Sequence, residues 1–94
     1  MGTYILLSTL TPQGAQTLKA TPERLLEVNR EIESLGARVV SQWAVLGPYD
    51  FVSVVEAPDE RTISRVSMAL GARGSARFET LSAMTIEEFL ALQE

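Results

Sequence analysis

The groups in this chain best suited to chemistry cluster around one turn, Gly47-Pro48-Tyr49-Asp50. A phenol beside a carboxylate can bind a polar ligand or handle a proton. Apolar runs flank the turn, Val39 to Leu46 before it and Phe51 to Val55 after it. The pattern predicts a β-hairpin with an acid at its mouth. Lys19, Arg73, Arg77, Glu79 and Thr80 are the side chains that the end of a sheet could bring to that mouth. Gly14, Gly47 and Gly74 would offer bare backbone N–H groups there.

Composition narrows the chemistry further. The chain has no histidine, so it lacks the usual general base near neutral pH, the commonest zinc ligand and an ordinary serine triad. It has no cysteine, so thiol catalysis, disulfides and Cys-ligated metals are absent. No metal or cofactor is expected. The net charge of −4 argues against nucleic acid as a partner. Met1-Gly2-Thr3-Tyr4 opens no signal sequence, and no apolar run approaches a membrane span, so a cytoplasmic protein without membrane contact is expected.

Other constellations are weak. Asp50 and Glu56 lie about 20 Å apart along one strand, too far for a carboxylate pair. Glu56 reads as a structural partner of Arg38 across the hairpin. Gly71-Ala72-Arg73-Gly74-Ser75 lacks the spacing and the Lys-Ser/Thr of a phosphate loop. Lys19 would act as a base only if burial depressed its pKa.

The elements that must position these residues follow from periodicity. Tyr4–Leu10 reads as strand one, and Thr11-Pro12-Gln13-Gly14 stops it. The stretch to Ala20 reads as a loop with at most one helical turn. Thr21-Pro22 opens helix one, with a hydroxyl cap followed by proline. Leu25, Val28, Ile32 and Leu35 form its apolar stripe, and Gly36 ends it. Strand two runs to Leu46 and strand three from Tyr49 to Glu56. Asp59 caps helix two, whose core face is Ile63, Val66 and Leu70. Residues 76–83 form strand four, and Thr85 to Glu88 has the spacing of a capping box for a short last helix.

That order, β-α-β-β-α-β plus a C-terminal helix, is the split βαβ pattern of an α+β ferredoxin-like fold in a single domain, residues 1–94. Its antiparallel sheet places strands one and three in the centre and both helices on one face. Simple alternation puts Val39, Trp43, Val45, Phe51 and Val55 on one face of the hairpin. It puts Val40, Ala44, Leu46, Val52 and Val54 on the other. Both faces are apolar, so a second copy is expected to cover the open one. The bland alternative has the C-terminal helix folding back over it.

The candidate ligand residues are Lys19, Gly47, Tyr49, Asp50, Gly74, Arg77 and Glu79. Each also has a structural reading. Asp50 can bond backbone N–H groups of its turn, Tyr49 can pack at a strand end, and the charged residues can be solvated partners of nearby acids. Trp43 reads as core or interface.

The chain also resembles a known family. Gly47-Pro48-Tyr49-Asp50-Phe51-Val52, followed by Glu56-Ala57-Pro58-Asp59, is similar to the hairpin of the GYD domain family. Lys19-Ala20-Thr21-Pro22-Glu23-Arg24, Gly36 and Glu79-Thr80-Leu81 fit as well, whereas Phe78 stands where a smaller polar residue is expected. The resemblance spans nearly the whole chain and implies a dimeric α/β-barrel-type domain. The hairpin is also similar to the ligand-sensing domain of leucine-responsive-type regulators. Carried over, Gly47, Tyr49, Asp50 and Gly74 would line an amino-acid site between subunits. The 94 residues leave no room for those regulators' DNA-binding helices.

Three functions are consistent with these observations. The first is a non-enzymatic, oligomeric domain that binds a small ligand or regulates. The second is a cofactor-independent oxygenase or isomerase of the dimeric barrel type. The third is a structural or partner-binding subunit.

Overall fold

The computed structural model describes residues 2–93. Met1, the first residue of the N-terminal reading above, lies outside them. The element order is β1 (Gly2–Leu10), α1 (Pro12–Ala20), α2 (Arg24–Ser34), β2 (Arg38–Ala44), β3 (Phe51–Ala57), α3 (Glu60–Gly71), β4 (Ala76–Ala83) and α4 (Ile86–Ala91). The four strands make one antiparallel sheet in the order β2-β3-β1-β4, with β1 and β3 central as the sequence predicts.

The core lies between this sheet and α2 and α3. Alternation along β1 buries Tyr4, Leu6 and Ser8, and along β3 it buries Ser53, Val55 and Ala57. Ile32 of α2 and Ile63, Val66 and Leu70 of α3 close over them. Each large side chain so buried contributes about 1.5–3 kcal/mol. Asp59 caps α3, its Oδ1 accepting from Thr62 N at 2.8 Å. Gly36 takes φ 103° after α2, the left-handed conformation that glycine adopts without strain.

Two expectations fail, both for local reasons. The segment read as a loop is helix α1, and a Thr-Pro pair opens it. Thr11 is its N-cap, with Oγ1 accepting from Gly14 N at 3.1 Å, and Pro12 fills the first turn, where a missing N–H costs nothing. At Thr21-Pro22 the same signature does something else. Thr21 N donates to Thr17 O at 2.8 Å and closes α1. Tight turns then lead into α2, whose N-cap Glu23 makes no side-chain cap bond.

The second failure concerns parity. The β2–β3 register shifts between Val39 and Ser41. Val39 pairs with Val55 on the helix-covered face. Past the bulge, Trp43 pairs with Val52 and Ala44 with Phe51. One extra residue reverses the alternation, so Trp43 joins the open face rather than that of Val39, Phe51 and Val55. β2 also ends at Ala44, short of Leu46.

Gly14 is fixed by packing. A Cβ there would sit 1.9 Å from Ser75 O, where α1 crosses the start of β4. Helix propensity alone predicts that Gly14→Ala stabilises by about 1 kcal/mol. The close approach predicts the reverse, a loss of about 2 kcal/mol or more, read as a lower midpoint in urea unfolding.

Candidate functional site

The hairpin end is held by backbone chemistry. Gly47 takes φ 126° and Pro48 follows it. Asp50 N donates to Ser8 O at 2.8 Å, and Val45 N donates to Asp50 O at 2.9 Å. The Asp50 side chain reaches β1, where Oδ2 accepts from Leu10 N at 2.8 Å. Thr9 Oγ1 donates to Pro48 O at 3.4 Å. Asp50 thus clamps the hairpin to the end of the central strand.

The candidate residues divide between the two sides of the sheet. Tyr49 crosses the open face, and its hydroxyl donates to Glu79 Oε2 at 3.4 Å. Arg77 stands opposite Thr9 on that face and is exposed. Lys19 is exposed in the last turn of α1, within the helical layer, so the sheet separates it from Glu79. Gly74 has φ 77°, and its carbonyl accepts from Thr11 Oγ1 at 2.8 Å at the α1–β4 junction. The structure therefore brings Tyr49 and Glu79 together, ties Asp50 to β1 and sets Lys19 and Gly74 apart from them. Arg38 and Glu56 sit directly opposite each other in the β2–β3 ladder and form an ion pair.

The open face is the largest feature around this end. Ladder partners set its rows. Trp43, Val52, Leu7 and Glu79 form one, and Ser41, Val54, Ile5 and Leu81 the next. Trp43 is 63 % exposed and Leu81 46 %. The C-terminal helix does not cover it. Among the described residues, α4 packs substantially against no other helix or strand. Ile86, Phe89, Leu90 and Leu92 point into solvent, although the Thr85–Glu88 capping box forms in full.

A second feature lies on the covered side. A cavity of about 90 Å³ sits between α1, α2 and the sheet. α1 directs only one large apolar side chain, Leu18, toward it, and Ser8 and Ser53 stand where bulkier residues would fill it. Gln42 Nε2 donates to Ser53 Oγ at 3.1 Å and to Asn29 Oδ1 at 3.1 Å. Arg24 and Arg73 line the same cavity. Phe78, the residue that departs from the family pattern, packs against the core and forms part of the wall. None of the seven candidate ligand residues lines it.

The topology and the clamped hairpin define a ferredoxin-like α+β domain with one helix-covered and one open sheet face. The chain belongs to the GYD domain family, whose pattern matches residues 4–92. A relative from Thermus thermophilus is 53% identical over 92 residues, covering 97% of each chain. That protein is named glutamine synthetase and cystathionine beta-lyase binding protein. The crystal structure of a protein from Thermus thermophilus superposes with a TM-score of 0.58 at 26% identity, over 90% of this chain and 95% of the other.

The clamp and the tyrosine can each be tested. Asp50→Ala orphans the Leu10 N–H and costs about 1–2 kcal/mol in chemical denaturation, while Asp50→Asn, which keeps an acceptor oxygen, recovers most of it. The hydrogen bond to Glu79, and then its negative charge, raise the Tyr49 pKa above the ordinary 10.0. A raised folded-state pKa stabilises below the unfolded value and is lost as pH rises through the folded one. Ring NMR shifts should therefore place Tyr49 ionisation above pH 10.0, and Glu79→Gln should bring it back down.

Proposed function

We propose that this chain is a non-catalytic protein-binding module that self-associates and attaches to metabolic enzymes. The observation that carries this reading is the relative with 53% identity across 97% of both chains, named for binding glutamine synthetase and cystathionine beta-lyase. At that identity, enzymes of those two kinds are the partners to test first.

The surface of the molecule supports the same reading. An uncovered apolar face that carries exposed Trp43 and Leu81 is the kind of surface that marks an interface. The sheet's open face, with Ile5, Leu7, Val52, Val54, Trp43 and Leu81, suits a second copy, because a twofold interface needs one self-complementary patch. Tyr49, Arg77 and Glu79 lie at the edge of that face. The small-ligand rim of the sequence reading then becomes the polar border of an interface, the usual place for charged residues in one.

Enzyme binding needs surface outside that patch, and α4 supplies it. A six-residue helix has little stability alone. Its exposed Phe89 and Leu90 gain most by packing into a partner's groove.

The test is biolayer interferometry of the intact protein against glutamine synthetase and cystathionine beta-lyase from its own source. Saturable binding to at least one enzyme is expected. Phe89→Glu should weaken it about tenfold or more without changing the oligomer mass. Failure of both enzymes to bind the unaltered protein overturns the reading. Undiminished binding by Phe89→Glu overturns the assignment to α4.

A further inference from the structure

We propose that the cavity between α1, α2 and the sheet is a binding site for a small monocarboxylate with a compact apolar tail. The size comes first. A cavity of about 90 Å³ matches the liquid volume of about three waters at roughly 30 Å³ each, room for the bulk of a short alkyl chain. The walls come next. Leu6, Leu18, Leu25, Val28, Phe51 and Phe78 surround the space with hydrocarbon. An apolar tail that enters gains dispersion contacts with these side chains.

Charge selects the head group. The whole chain carries 12 acidic residues against 8 basic ones. The cavity lining reverses that balance, with Arg24 and Arg73 and no aspartate or glutamate. Both guanidinium groups have acidic neighbours just outside the lining, Glu27 for Arg24 and Glu31 for Arg73. Neither pairing uses up the donors. Arg24 Nη1 contacts Glu27 Oε2 at 3.0 Å on a partly exposed surface, where such pairs are weak. Arg73 meets Glu31 Oε1 through Nη2 alone, which leaves its other N–H groups available. Each guanidinium has five N–H donors in a fork that matches a carboxylate. A second carboxylate is disfavoured, because both arginines already carry one acidic neighbour each and most of the remaining large side chains of the lining are hydrocarbon.

Binding here is independent of enzyme binding through α4, and its test separates the two. The 94-residue protein, with methyl groups of leucine and valine labelled, is titrated with hexanoate, 1-hexanol and adipate and followed by NMR. Hexanoate should shift the Leu25 and Val28 methyl signals saturably. 1-Hexanol, with the same tail and no charge, should bind about tenfold more weakly or worse, the loss of a charge-assisted pair. Adipate should leave the signals in place. In Arg24→Gln/Arg73→Gln, hexanoate should fall to the affinity of 1-hexanol. Absence of a saturable shift with hexanoate, equal binding of 1-hexanol, or a hexanoate preference that survives the double substitution each overturns the site. The comparison of hexanoate with 1-hexanol decides the matter in the unaltered protein.

Discussion

A single helical layer against a sheet that is apolar on both sides is the constraint on which the rest of this structure depends. α2 and α3 close one face and form the core with Tyr4, Leu6 and Val55. Among the described residues no element closes the other, and the bulge after Val39 adds Trp43 to it. Had β2 kept strict alternation, Trp43 would face the helices and the open face would lose its largest side chain. A hydrophobic surface of this kind is costly in water unless covered. The proposed self-association answers that cost. It also explains why α4, which folds as a capped helix, is not used to cover the sheet of its own chain.

Polar groups near the ends of the sheet act chiefly to fix backbone. Asp50 gives its side-chain oxygen to Leu10 N, and Thr11 serves both as cap of α1 and as donor to Gly74 O. These contacts join the hairpin, β1, α1 and the start of β4 at one end of the molecule. The Gly-x-Tyr-Asp signature is therefore intelligible without a reaction. Glycine makes the turn, aspartate clamps it, and tyrosine lies across the open face to Glu79. The same joint sets α1 over the sheet at the distance that leaves the arginine-bordered cavity beneath it.

Strand order, the capped α3 and the boundaries of β4 are legible because each rests on a local rule. A short apolar, partly β-branched run reads β1, the carboxylate of Asp59 reads a cap, and Ala76–Ala83 is bounded by glycine before it and a capping box after it. Helix α1 escapes such rules because Gly14 reads as a breaker, whereas it is required by contact with Ser75, a residue distant in sequence. Thr21-Pro22 misleads because a Thr-Pro pair does not reveal whether its own N–H is already used by a preceding helix. The face of Trp43 is set by a bulge that no glycine or proline marks. The cavity is illegible for a deeper reason. It is volume left over by Ser8, Ser53 and the sparse apolar side of α1, and unfilled volume has no motif.

Trp43 is the chain's sole tryptophan and stands on the open face, 63 % exposed in the isolated chain. Its fluorescence reports directly on whether that face is covered. Emission and quenching by acrylamide should be measured across a dilution series alongside the mass in solution. If a second copy covers the face, Trp43 emits at short wavelength and resists quenching when concentrated. It then shifts to a water-exposed spectrum as the mass falls to that of one chain. A water-exposed, readily quenched Trp43 with single-chain mass at every concentration would contradict the account.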